Sequence, residues 1–193
     1  MHQTLRTDAT GMPLEWLNQE QVAKLISLDM VQYAFGTTLT RLHGGINAKS
    51  GKQSILDIPA IIGTKGKNQH FHKKLQAYVP PLNNPTLFRR DQNLCLYCGQ
   101  VHEAKMLSRD HITPVAQGGK DVWENVVTSC TRCNNHKADR TPLQANMKLL
   151  AIPFAPNYAE YIYLQGKHII ADQMHFLMNY FPKQSPFRTR FMQ

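Results

Sequence analysis

The chain has 193 residues, with 22 Lys and Arg against 13 Asp and Glu, which gives a formal charge of +9 at pH 7. Hydrophobic residues make up 42% of it, enough to build a core, so wholesale disorder is excluded. The positive charge points to an anionic partner, with nucleic acid ahead of a membrane surface. No apolar run approaches transmembrane length and the polar N-terminus lacks a secretory signal, so we expect a protein of the reducing cytoplasm.

The charge is distributed unevenly along the chain. Residues 91–142 carry six basic and six acidic residues together with all four cysteines, so the excess lies in the flanks. No acidic residue lies between Asp57 and Asp91. The basic residues of that interval are Lys65, Lys67, Lys73, Lys74, Arg89 and Arg90. Clustered cations bind polyanions by releasing counterions, so we predict phosphate contacts there; a solvated surface is the alternative.

The N-terminal segment predicts a small α+β element. Asn18 followed by Gln21 is typical of a capping box, and a short amphipathic helix follows it. Residues 31–42 and 54–62 predict two strands, joined by a loop at 44–52. Pro59 either breaks the second strand or places it at a sheet edge.

Three segments follow from this chain order. Residues 1–85 are the N-terminal α+β element with a basic linker, residues 86–150 surround the cysteines, and residues 151–193 are a C-terminal helical extension. Helical spacing also predicts helices at 86–92 and 142–150, and one from 168 to the residue before Pro182. Its aromatic stripe predicts core packing.

The four cysteines form two Cys-x-x-Cys pairs, Cys95 with Cys98 and Cys130 with Cys133. Two such pairs can complete a thiolate tetrahedron around Zn²⁺, and Gly99 suits the tight turn after the first pair. Iron–sulfur ligation uses the same ligands, while disulfides or buried free thiols are the structural alternatives. The pairs are separated by 31 residues, more than a simple zinc module needs, so the insert is expected to contain the chemistry.

The insert contains an adjacent Asp110 and His111, a hard oxygen ligand beside a base that titrates near neutral pH. Neighbours in a strand point to opposite faces, so a bend near Pro114 is needed to bring both to one site. Asn134 follows the last cysteine directly, so bound zinc would fix its position. A carboxylate and an amide oxygen suit Mg²⁺.

Taken in order, the Asp-His pair, Gly118-Gly119, Asn125, Asn134 and the two cysteine pairs resemble the HNH endonuclease family. The similarity covers residues 88–150. It implies a ββα-metal fold, a hairpin and a helix around one divalent ion. The predicted fold class is therefore α+β, with a ββα-metal HNH nuclease core, a structural zinc, the small N-terminal α+β element and a C-terminal helix.

The resemblance also implies a role for each matching residue. His111 would be the general base that activates water, and Asn125 would hydrogen-bond within the hairpin loop and orient it. Asp110 and Asn134 would hold Mg²⁺ or a similar ion, with His136 as the alternative second ligand. The expected products carry a 5′-phosphate and a 3′-hydroxyl.

The predicted function is metal-dependent hydrolysis of phosphodiester bonds in DNA, and the expected substrate is double-stranded. DNA is preferred over RNA because the HNH family mostly cuts DNA. Lys137 and Arg140 join the basic flanks as predicted phosphate contacts. The alternative is a zinc-stabilised nucleic-acid-binding module without cleavage. A redox dithiol protein is disfavoured because no βαβ pattern accompanies the cysteines. We expect no membrane partner and no small-molecule cofactor, and the sequence predicts no oligomeric state.

Overall fold

The computed structural model describes residues 2–66 and 78–191, and it is a mixed α+β structure, as predicted. The strands are β1 (Thr4–Thr7), β2 (Pro13–Leu17), β3 (Val31–Ile46), β4 (Gln53–Thr64), β5 (Leu107–His111) and β6 (Val126–Cys130). The helices are α1 (Gln19–Ser27), α2 (Asn84–Arg90), α3 (Thr131–Lys137), α4 (Tyr158–Gln165), α5 (Ala171–Met178) and α6 (Pro186–Phe191). These elements form two compact units, one within residues 1–78 and 158–193 and the other within residues 79–157.

The first unit is built on a four-stranded sheet in the order β2-β1-β4-β3. β1 runs antiparallel to β2 and parallel to β4, and β3 with β4 forms a long antiparallel hairpin. Asn18 and Gln21 form the predicted reciprocal capping box at the start of α1. α1 then packs Val22 against Leu17 and Ile58 of the sheet.

Pro59 lies within β4 without disrupting the sheet. β1 pairs in register with residues 61–63 of β4, so at Pro59 the backbone ladder is with β3, and β1 contributes the Thr4 hydroxyl, which donates to the Pro59 carbonyl at 2.8 Å. The β3 register shifts on both sides of Thr38, the partner of Pro59. The predicted edge character is therefore local, because proline lacks the N–H that a second ladder would require.

The C-terminal helices complete this first unit. The Trp16 indole donates to the carbonyl of Ile162 in α4 at 2.7 Å, and the Tyr158 hydroxyl donates to the carbonyl of Leu14 at 2.8 Å. The buried Gln173 of α5 donates to the carbonyls of Gln3 and Ala60. Most of the predicted C-terminal helical extension, from residue 158 of its range 151–193, thus belongs with the N-terminal sheet.

The second unit centres on the antiparallel pair β5–β6, with α3 starting directly after β6. α2 is fixed to this pair by Arg90, whose side chain is fully buried. Its guanidinium donates to the carboxylate of Asp91 and to the carbonyls of Trp123, Val126 and Phe154. Arg90 is therefore a structural residue, and its predicted role in phosphate contact is wrong because its donors are used inside the unit.

Residues 142–150 differ from the sequence prediction. The segment 142–150, predicted as helical, forms turns, and Asn146 adopts a left-handed φ of 54° that interrupts helical geometry.

Within the described ranges 2–66 and 78–191, no helix is both long and apolar enough to cross a bilayer.

Candidate active site and metal centre

The four cysteines meet at one point of the second unit. The Sγ atoms of Cys95, Cys98, Cys130 and Cys133 all lie within 4.8 Å of one another. Four thiolates at bonding distance from one Zn²⁺ have comparable separations, so the set fits a tetrahedral ion. Gly99 has a φ of 73°, which confirms the tight turn predicted after Cys98.

The thiols differ in how readily they ionise. Burial opposes ionisation of Cys95, but backbone hydrogen bonds from Cys130, Cys98 and Tyr97 outweigh it and lower its pKa to about 7. Burial, followed by the hydrogen bond with Cys130, raises the pKa of the Cys133 thiol. Because a metal ion binds thiolates, occupation of the centre requires the protons to leave.

The metal centre and the strand pair are linked through α3. Cys130 is the N-cap of this helix, and its sulfur accepts from the backbone N–H of Cys133 at 3.4 Å. One turn of α3 places Asn134 and Lys137 on the same face. That face meets β5, where the alternation of strand side chains directs Ser108 and Asp110 to the same side.

Three hydrogen bonds join α3 to β5. The Asn134 amide donates to the Ser108 hydroxyl at 2.8 Å, and the Lys137 ammonium donates to Asp110 Oδ1 at 3.0 Å. Lys137 also donates to the carbonyl of His111 at 2.8 Å. The Asn134 orientation that donates to Ser108 leaves its amide oxygen as the available acceptor.

Asp110 is a buried carboxylate with two donors. Lys137 occupies Oδ1, and the Tyr97 hydroxyl donates to Oδ2. Burial and then the Asp110 carboxylate raise the pKa of Tyr97, so the phenol remains a donor. Each carboxylate oxygen has two lone pairs, so Asp110 keeps acceptor capacity for a cation.

His111 ends β5 and contacts a different carboxylate. Its Nε2 lies 3.0 Å from Oδ1 of Asp121, which is in the loop after β5. Arg109 donates to the other oxygen of Asp121 at 2.6 Å. The hydrogen bond from Arg109 is the main cause that lowers the pKa of Asp121, with a smaller contribution from His111. An ionised carboxylate therefore holds one nitrogen of the ring.

The loop between β5 and β6 is fixed by Asn125. Its Oδ1 accepts from the N–H of Thr113 at 2.9 Å, and its Nδ2 donates to the carbonyls of Thr113 and Lys120. Gly119 packs so closely that a Cβ there would lie 1.7 Å from the Thr113 carbonyl oxygen. The Gly-Gly pair and Asn125 thus close the loop that follows His111.

An open cavity of about 520 Å³ brings the predicted site residues together. Asp110, His111 and Asn134 line it, together with Arg109 and Lys137. His136, the alternative ion ligand, lines a separate cavity beside Cys98, Cys130 and Cys133. The helix therefore directs Asn134 toward Asp110 and His136 toward the cysteines.

The predicted phosphate contacts have mixed outcomes. Lys137 is 1% exposed, is paired with Asp110 and lines the cavity, and its predicted phosphate contact stays a prediction. Lys65 and Arg89 are exposed, and Lys65 pairs with Asp29. Arg140 is also exposed, and its guanidinium donates to the carbonyls of His136 and Lys137. Lys67, Lys73 and Lys74 lie outside the described residues.

Sequence reasoning missed the residues that hold the predicted ones. Asp121 and Tyr97 contact His111 and Asp110 through loops whose geometry has no sequence signature. Ser108 and Arg109 could have been predicted from the sequence. Strand alternation places Ser108 on the same face as Asp110 and Arg109 on the same face as His111.

Residues 95–150 match the family model described as HNH endonuclease, which confirms the resemblance predicted from the sequence for this segment. No curated protein matches the chain significantly. Among solved structures, the chain is similar to the Type II-C Cas9 enzyme from Actinomyces naeslundii, with 22% identity and a TM-score of 0.27. The similarity covers 62% of this chain and 13% of that one, and its TM-score is too low to support an argument.

Proposed function

We propose that this protein is a metal-dependent endonuclease of the HNH type that hydrolyses phosphodiester bonds in double-stranded DNA. The observation that carries the proposal is the shared cavity of Asp110, His111 and Asn134, within the segment that matches the family. These three side chains offer a base and two hard oxygen ligands.

His111 is the proposed general base. A ring that donates from Nε2 to Asp121 keeps its lone pair on Nδ1, which can take a proton from water. Asp121 then stabilises the imidazolium that forms, because its carboxylate remains ionised. Asn125 is proposed to fix the loop backbone that follows His111, and so its orientation.

Asp110 and Asn134 are the proposed ligands of a divalent ion such as Mg²⁺. The donor set fits, since a carboxylate and an amide oxygen are hard ligands on one cavity wall. When bound, the ion supplies charge stabilisation for the phosphate. Lys137 donates to one oxygen of the Asp110 carboxylate and Tyr97 to the other, which fixes the orientation of this proposed ligand.

The four-cysteine centre is proposed to hold a structural zinc. Four thiolates leave no open coordination position for water, so the ion organises the chain and takes no part in hydrolysis. It lies at the N-terminus of α3 and thereby sets the position of Asn134. Free thiolates require a reducing compartment, so we propose the cytoplasm.

One observation favours a second candidate, a zinc-stabilised nucleic-acid-binding module without cleavage. Lys137 already neutralises Asp110, and an ion must share that carboxylate with it. In this alternative Asp110 is a structural partner of Lys137 and Tyr97.

A plasmid-nicking assay separates the two functions. Zinc-loaded protein is incubated with supercoiled plasmid and Mg²⁺ or Mn²⁺, beside His111→Ala and, as a matched control, the exposed His175→Ala on α5. We expect His111→Ala to lose about 100-fold or more of the nicking rate, because general base catalysis contributes that much, and the control to match wild type. Equal nicking by wild type and His111→Ala contradicts the mechanism, and binding without nicking by wild type favours the binding module.

A further inference from the structure

The hairpin of β3 and β4 extends beyond the packed sheet. Leu42 and Leu56 are its last residues to pack against the core of the first unit. Residues 43–55, the ribbon tip, are all exposed on both faces. Its strands remain paired, His43 with Ile55 and Ile46 with Gln53. The tip is thus a two-stranded ribbon that contributes nothing to the core.

The ribbon tip is basic. The sequence contains no acidic residue between Asp29 and Asp57, while Lys49 and Lys52 lie at the turn. Both lysines are exposed, and Asp57, the acidic residue nearest to the tip along the chain, is already paired with Arg41. The charge complements a polyanion.

The ribbon tip exposes two isoleucine side chains. Ile46 is 71% exposed and Ile55 is 56% exposed, while Asn47 accepts from the N–H groups of Lys49 and Ser50 and Gln53 donates to the carbonyl of Gly44. Exposed apolar side chains can contact thymine methyl groups in the major groove.

Gly45 lies where the register between β3 and β4 shifts, between His43 and Ile46, and glycine is common at such an irregularity. It lacks a positive φ, and a Cβ built on it would meet no atom within 4 Å. The fold therefore has room for a larger residue in this strand. The open space beside Gly45 also leaves the backbone of the ribbon tip accessible to a partner.

We propose that the ribbon tip docks in the major groove of duplex DNA. This inference rests on the proposed function for its choice of partner. The paired part spans four residues of β3, about 13 Å at the usual rise per residue, and the groove is about 8.5 Å deep and 12 Å wide. A-form RNA has a deep, narrow major groove that protein elements do not enter, so the geometry favours DNA over duplex RNA.

Binding is measured by fluorescence anisotropy on the full zinc-loaded chain, without Mg²⁺, over a series of salt concentrations. Lys49→Ala with Lys52→Ala is compared with a control of equal charge change, Lys24→Ala with Lys167→Ala, both exposed in the same unit. We expect the ribbon variant to reduce the salt slope by about 1.8 and the control to leave it unchanged. Equal slopes for both variants overturn the proposal.

A third variant, Gly45→Val, adds bulk without changing charge. We expect weaker binding with the wild-type salt slope and an unchanged circular dichroism spectrum. Wild-type affinity in this variant overturns the close approach, as does equal binding of a duplex whose major groove is filled by glucosylated cytosines, or of duplex RNA. Self-association that the ribbon variants abolish would assign the tip to a second copy and also overturn the proposal.

The nicking assay keeps this inference distinct from the nuclease assignment. A wild-type protein that nicks plasmid while the ribbon variants bind normally overturns only the ribbon proposal. A wild-type protein that binds through the ribbon without nicking overturns only the nuclease.

Discussion

Asp121 is the residue on which the proposed base depends. It joins Arg109 and His111, which share one face of β5. Its lowered pKa means that the link with Arg109 is complete above the ordinary carboxyl range and is lost only as the pH falls through the lowered value. The Asp121 carboxylate therefore stays charged at neutral pH, where it faces Nε2 of His111.

We predict that Asp121→Asn lowers the nicking rate about 10- to 100-fold, the usual effect of removing a residue that orients another. The amide keeps the shape but replaces the anion that stabilises imidazolium. Glu124→Gln, an exposed neighbour in the same loop, makes the same charge change and is expected to match wild type. Single-turnover rates at several pH values provide the measurement, and an Asp121→Asn profile identical to wild type contradicts the role.

At this scale the sequence predicted types of residue better than their contacts. Cys-x-x-Cys spacing is local, so the cysteine cluster could be predicted from four positions. The partners of Asp110 depend on how a loop and a helix return to the strand, and neither Tyr97 nor Lys137 carries a sign of that in its neighbourhood.

Among the elements, α2 is attached by the buried pair of Arg90 and Asp91. Arg90 lies over the rings of Trp123 and Phe154, at 5.6 and 5.7 Å from their centroids. Asp91 in turn accepts from the N–H of Thr128 in β6 at 2.8 Å. The helix is thus joined to the strand pair by charge-assisted hydrogen bonds.

We predict that Arg90→Ala destabilises the protein by about 3 to 5 kcal/mol, because it leaves the Asp91 carboxylate buried without its partner. Arg89→Ala, on the exposed side of the same helix, removes an equal charge and is expected to cost under about 1 kcal/mol. Urea unfolding followed by circular dichroism measures both. A similar loss in the two variants would contradict the structural role of Arg90.

Elements that depend on local signals were predicted well, and those that depend on distant partners were not. The capping box fixed the start of α1. The ends of β3 and β4 were missed because residues 44–52 contain three glycines, yet cross-strand pairing continues to Ile46 and Gln53. For 142–150, helical spacing of apolar residues competed with a left-handed Asn146, which spacing does not reveal.

At the scale of the whole molecule, the second unit is inserted between two parts of the first. Two of the hydrogen bonds that join these parts link residues 144 and 146 positions apart, Leu14 with Tyr158 and Trp16 with Ile162. Composition and periodicity describe segments, so they could not indicate that the two ends of the chain share one core.

We predict that removing the metal acts on one unit. In hydrogen exchange on the full chain, a zinc chelator should abolish protection across β5, β6 and α3, since metal binding is part of their folding free energy, and leave β1 and β4 protected. Cys95→Ser should reproduce this pattern with reduced zinc content. Unchanged protection of residues 95–150 after complete loss of metal would contradict the assignment.

The chain leaves the first unit after Tyr78 and returns to it at Tyr158. The ring centroids of these two tyrosines lie 5.2 Å apart. During synthesis the inserted unit is complete once residue 157 has emerged, while the N-terminal sheet still lacks α4 and α5. The second unit, which contains the segment that matches the nuclease family, can therefore fold before the first unit has all the residues of its core. The unit that begins second in the sequence is therefore the first whose chain is complete.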